Sequence, residues 1–148
     1  FNPSQDHEVP NTGSALLYKG ALDGKSRAVF RGIIRVHAGA QQTDAYQTNR
    51  NILLSHGARA DSLPNLEIEA DDVKCSHGAT VGQLDEEAKF YLMSRGLEEI
   101  QAERLVVTGF LGEVLGKLPL GGVVEKVNRV IEQKLAQHSG VGGGSGNS

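Results

Sequence analysis

The sequence predicts a mainly β fold followed by α: short strands stacked as a β-solenoid, then a small three-helix region. Three observations carry this. Residues 14–83 are β-like, with period-two alternation of apolar and polar side chains across 28–37 and 66–70. A His-Gly-Ala repeat punctuates the same region. From Asp85 onward the apolar residues take up helical spacing instead.

Residues 1–13 are polar, carry Pro3, Pro10 and Gly13, and read as a poorly ordered lead-in. Residues 14–84 form the β portion. Within Ala28 to His37, one parity holds Ala28, Phe30, Gly32, Ile34 and Val36, and the other holds Arg31, Arg35 and His37. That is the pattern of a half-buried strand. Leu66, Ile68 and Ala70 alternate with Glu67 and Glu69 in the same way. His37-Ala-Gly-Ala40, Ser55-His-Gly-Ala58 and Ser76-His-Gly-Ala79 follow strand-like runs, with their glycines 18 and 21 residues apart. Glycine supplies the backbone freedom a corner needs, so these copies read as corners of successive coils. A meander of hairpins is the alternative.

Residues 85–136 read as helical. Asp85-Glu86-Glu87 is an acidic start suited to a helix N-terminus, and Gly96 is placed as its stop. Leu84, Ala88, Tyr91 and Leu92 fall on one face. A second helix is expected from about Leu97 to Leu118, with Val107, Phe110, Leu111, Val114 and Leu118 on one stripe. Gly109, Gly112 and Gly116 each weaken it by about 1 kcal/mol relative to alanine, and read as close-packing points or a bend. Pro119 and Gly121-Gly122 break the chain. A third helix, about Val123 to Leu135, places Val127, Val130, Ile131 and Leu135 inward. Residues 137–148 are rich in glycine and serine and cannot bury enough apolar surface to offset their ordering entropy, so a disordered tail is expected.

The 148 residues are 39% apolar with no tryptophan, which provides a core of Val, Ile, Leu and Ala. The net charge of -3 gives no global electrostatic case for nucleic acid. No apolar run approaches the ~20 residues that span a bilayer, so no membrane association is expected. A single cysteine excludes an intrachain disulfide and fits a reducing compartment. No signal peptide opens the chain. Its first residue is Phe1, not methionine, so a fragment or processed product is expected.

That cysteine, Cys75, stands two residues before His77. On a strand the two side chains share a face, with Cα atoms roughly 6.6 Å apart. A thiolate and an imidazole so placed suit one metal ion or one cluster site. Core packing of Cys75, whose parity Val73, Ala79 and Val81 share, is the alternative. A closed four-ligand site needs more than this pair, and no second cysteine exists, so a cluster here is shared with another polypeptide or transient. Glu67, Glu69, Asp71 and Asp72 suit a hard cation or water activation, or form a solvated strand face and a turn. Gly20-Ala-Leu-Asp-Gly-Lys-Ser26 has three residues between its glycines where a phosphate loop needs four, and a strand follows. An Asp-Gly turn fits it better.

Asp71-Asp-Val-Lys-Cys-Ser-His-Gly-Ala-Thr80 resembles a signature of the SufB/SufD family of the SUF iron–sulfur cluster assembly machine. Gln42-Thr-Asp-Ala-Tyr-Gln-Thr-Asn-Arg-Asn51, Tyr18-Lys-Gly20 through Asp23-Gly-Lys-Ser26, Pro64-Asn-Leu-Glu-Ile68 and Tyr91-Leu-Met-Ser-Arg-Gly96 extend the resemblance over roughly residues 14–118. The SufB type has Glu-His-Glu-Ala-Thr where this chain has Lys74 to Thr80, which favours the SufD type.

The resemblance implies the carboxy-terminal part of a right-handed parallel β-helix plus a helical domain. It implies a non-enzymatic scaffold subunit in the cytoplasm, or in the plastid stroma of a plant or alga. Its partners would be a SufB-like subunit at the β-helix edge and a SufC-like ATPase on the helices within residues 85–135. Cys75 and His77 would then lie near the subunit interface, at a transient iron–sulfur cluster shared with the partner. Two rival readings remain at this point: a metal-dependent hydrolase using His77 and the nearby carboxylates, and an interaction module in which Cys75 only packs.

Overall fold

Three successive turns of chain lay their strands one above another. The first turn holds β1 (Ser4–His7), β2 (Gly13–Leu22) and β3 (Arg27–Phe30); the second holds β4 (Ile33–Val36), β5 (Asp44–Leu53) and β6 (Arg59–Ser62). The third holds β7 (Asn65–Ile68) and β8 (Lys74–Gln83). They form three sheets, ordered β1-β4-β7, β2-β5-β8 and β3-β6. The ladders β1–β4, β4–β7, β2–β5 and β3–β6 are all parallel. A parallel pair needs a long crossover, and here the other two sides of each coil supply it. Residues 1–82 are therefore a parallel β-helix, and the hairpin meander is excluded. The computed structural model describes residues 1–117 and 121–139, in two units, Phe1–Gly82 and Gln83–Ser148.

The coil period differs from the expected one. Partners Ser4↔Ile33, Gly13↔Asp44, Arg27↔Arg59 and Ile33↔Asn65 lie 29, 31, 32 and 32 residues apart. The His-Gly-Ala copies are not equivalent corners. Gly39 lies between β4 and β5 and Gly57 between β5 and β6, whereas Gly78 lies inside β8. Local similarity of three-residue pieces gave a false period.

Residues 1–13 are also more ordered than their prolines suggested. Ser4–His7 pairs with β4, and His7 is buried. Its Nδ1 meets Thr12 Oγ1 at 2.7 Å and its Nε2 meets Ser14 Oγ at 2.8 Å. Pro3 and Pro10 bracket a short strand here, and Asn11, at φ 60°, makes the corner.

The alternation read across 28–37 holds, but over two strands. Arg31 and Gly32 form a corner between β3 and β4, and Phe30, Ile34 and Val36 all face the core. Ile34, Val36, Ala40, Ala45 and Ala70 form that core, with Leu66, Val73 and Cys75 packed against it. Asp23 and Gly24 make the expected turn: Gly24 has φ 63°, and Ser26 N–H donates to Asp23 O at 3.0 Å. It joins consecutive sides of a coil, not the arms of a hairpin.

The second unit holds α1 (Glu86–Ser94), α2 (Glu99–Leu115) and α3 (Gly121–Ser139). Asp85 caps α1, its Oδ1 accepting from Ala88 N–H at 2.9 Å, and Gly96 stops it at φ 96°. Glu98 and Gln101 form a capping box on α2. Ala102, Val107 and Leu115 are its buried residues. Three expectations fail here. Tyr91 is 56% exposed, with the Arg95 guanidinium 5.1 Å from its ring centroid. Val130 is exposed, while Leu135 is buried. A Cβ at Gly109 or Gly112 would meet nothing within 4 Å, so neither is a close-packing point. Leu118 and Pro119 lie outside the described residues, as does the expected tail from residue 140 onward.

Candidate functional site

The site lies on β8, and one backbone hydrogen bond fixes what stands beneath it. In four ladders the first residue of the incoming strand donates to the residue before its partner: Ile33 to Pro3, Asp44 to Thr12, Arg59 to Ser26 and Asn65 to Gly32. Lys74 N–H donates to Thr43 O at 2.8 Å. Lys74 therefore stands on Asp44. β5 and β8 are both ten residues long, which carries Cys75 onto Ala45, His77 onto Gln47, Ala79 onto Asn49 and Val81 onto Asn51. Ala45, Gln47, Asn49 and Asn51 are all buried. Cys75 and His77 thus share the interior-facing parity of the last coil, the common face that the sequence reading expected of them.

Their surroundings differ. Cys75 is half-buried and packs against the core cluster. Burial pushes its thiol pKa up; a hydrogen bond from the Ala45 backbone opposes this, and the negative charge of Asp44 adds to it. The resting group is the neutral thiol. His77 is exposed. Ala79 to Gln83 are exposed as well, Ala79 and Val81 among them, although both have the interior parity. Among the described residues no strand pairs with the outer edge of β8. The chain's only cysteine lies on this strand.

Among the described residues the carboxylates form no three-ligand group with His77. Glu67 Oε2 takes Arg35 at 2.8 Å, and Arg35 also lies 3.9 Å from Asp6. Register places Asp6, Arg35 and Glu67 in one row across β1, β4 and β7. They form a cross-strand ladder of alternating charge, which raises the Arg35 pKa. Asp72 belongs to the β7–β8 corner, where its N–H donates to Gln41 Oε1 at 2.9 Å and its carbonyl accepts from Gln42 N–H. Among the described residues, the three-ligand group found is Asp6, Glu8 and His37, with ligand atoms within 4.8 Å of one another. It contains neither Cys75 nor His77. His37 Nε2 meets Asp6 Oδ1 at 2.9 Å there. The structure thus favours the strand-face and turn reading of the acidic group and gives the hydrolase reading no ligand set.

Sequence reasoning missed the amides of β5. Gln47, Asn49 and Asn51 are polar and sit inside the coil, with Asn51 Nδ2 donating to Asn49 Oδ1 at 3.0 Å. Both heteroatoms of the Gln47 carboxamide are buried without a partner. The signal was the continuation of Ala45 parity through Gln47, Asn49 and Asn51, which runs against polarity.

Residues 1–110 match the family model described as SUF system FeS cluster assembly, SufBD core domain. An iron–sulfur cluster assembly SufBD family protein of Mycobacterium tuberculosis is 44% identical over 138 residues, covering 88% of this chain and 35% of the relative. The iron–sulfur cluster assembly protein SufD of Escherichia coli is 42% identical over 130 residues, covering 88% of this chain and 31% of the relative. Protein ABCI7, chloroplastic, of Arabidopsis thaliana is 40% identical over 134 residues, covering 90% of this chain and 26% of the relative. The chain thus spans about a third or less of the length of these relatives. No described helix is long and apolar enough to cross a membrane.

Proposed function

The chain belongs to the SufBD family of SUF iron–sulfur cluster assembly proteins, and on that premise we propose that it acts as a SufD-type scaffold, not as an enzyme. The cluster is its cargo. Cys75 and His77 contribute ligands to a nascent cluster completed by a SufB-like subunit docked at the open end of the β-helix. One observation carries this reading: the only cysteine lies on the last strand, near a histidine of the same parity, and among the described residues no strand pairs with that strand's outer edge. The donor set fits a shared site, since one thiolate and one imidazole leave a closed cluster unfinished within this chain.

A SufB-like strand adds to the free edge of β8, with backbone hydrogen bonds supplying much of the contact. Such pairing also covers an edge that would otherwise invite aggregation, and it gives the exposed Ala79 and Val81 a neighbour. A SufC-like ATPase docks on the helical unit, where Phe90, Ile100 and Leu105 are exposed. The location is the cytoplasm, or the plastid stroma in a plant or alga; the relatives include bacterial proteins and one named chloroplastic. Hydrogen exchange on the isolated and SufB-bound subunit tests the seam. Amides of residues 74–83 slow on binding if β8 forms it. Equal exchange in both states places the interface elsewhere.

A further inference from the structure

We infer that Gln47 is a positioning residue for His77: its buried carboxamide holds the imidazole from the coil beneath. The inference rests on the reading of His77 as a ligand of the shared site. It begins with a buried group that lacks a partner. Gln47 is 1% exposed, and neither its Oε1 nor its Nε2 has a hydrogen bond. Leaving such groups unmet destabilises the fold. A methionine or leucine would fill the same space without that cost.

The surroundings are shaped to the amide. A Cβ at Gly32 would overlap the Gln47 carboxamide, so only glycine there leaves room for it. The rung below Gln47 is Leu16, which offers no polar atom. The rung above is His77, by the register that Lys74 and Thr43 set. Along this column His77 is thus the polar residue next to Gln47 in register. An imidazole presents one N–H donor and one acceptor, and a carboxamide presents the complement of either. A bond to one ring nitrogen fixes the tautomer and leaves the other nitrogen directed to a ligand.

Nuclear magnetic resonance on this chain at one fixed pH tests it. In the native chain the Gln47 Nε2 protons show cross-peaks to the His77 ring, and the ring nitrogens report one dominant tautomer. Gln47→Met keeps the shape, removes both polar atoms and returns His77 to the mixed tautomers of a free imidazole. Gln47 protons that show cross-peaks only to long-lived water, or a tautomer ratio equal in native and Gln47→Met chains, would overturn the inference. A thermal melt of Gln47→Met checks that the coil remains folded; the native-chain cross-peaks decide the matter if it does not. The parent reading is separable. Full cluster loading in His77→Ala complexes defeats the ligand role whatever the tautomer shows. Lost loading with no Gln47 coupling defeats only the positioning role.

Discussion

Lys74 donates its backbone N–H to the carbonyl of Thr43 at 2.8 Å, and this bond places the terminal strand in register over β5. Its donor is spent within the chain. Among the described residues the unpaired edge of this sheet is therefore the other side of β8.

Lys74→Pro removes that donor and leaves the Thr43 carbonyl unmet, at a cost of about 1–3 kcal/mol. Lys74→Ala leaves the bond intact and stays close to native stability. Thermal melts of the two variants check this. Equal melting temperatures would show that the bond does not anchor the strand.

Gly109 and Gly112 lie inside α2 with open space at the Cβ position. Alanine at either removes backbone entropy from the unfolded chain and stabilises the helix by about 1 kcal/mol. Calorimetry of Gly109→Ala and Gly112→Ala should show a higher melting temperature for each. A fall would contradict the open space at these positions and show that the added methyl groups clash within the helical unit.

Burial raises the Cys75 pKa, with Asp44 adding and the Ala45 backbone opposing. A raised thiol pKa means that the unfolded chain loses its proton first. The stability this group contributes is full below the unfolded thiol value and declines as pH rises through the folded one. Maleimide labelling of Cys75 is accordingly slower than that of a free thiol at pH 8 and keeps rising at higher pH. Asp44→Asn speeds it. A labelling rate that levels off below the ordinary thiol pKa would contradict this.

Much of this architecture was legible because periodicity reports the face of an element. The parity of Phe30, Ile34 and Val36 survived the corner between them, since the coil turns without changing which side faces inward. Asp85 and Gly96 marked the ends of α1 through local chemistry. The coil length was not legible, because ladders of 29 to 32 residues join segments that share little local sequence. The interior amides were hidden for the opposite reason: Gln47, Asn49 and Asn51 follow interior parity but carry outside polarity. The Cys75–His77 pair was visible from spacing. The Asp6–Arg35–Glu67 row needed the register and could not be read from the chain.

Leu105 lies exposed on α2, on the helical unit proposed as the ATPase dock. Leu105→Glu should abolish co-purification of a SufC-like ATPase and leave helical content unchanged by circular dichroism. Retained binding would move the contact off this helix.

Iron and sulfide content per assembled complex tests the shared site most directly. The whole subunit is co-expressed with its SufB-like and SufC-like neighbours, as native protein and as Cys75→Ala and His77→Ala. Both variants should assemble complexes of native stoichiometry, because Cys75 is only half-buried and His77 is exposed. Both should carry clearly less iron and sulfide than the native complex. Equal iron and sulfide in all three would reduce Cys75 and His77 to packing and surface residues and contradict the account.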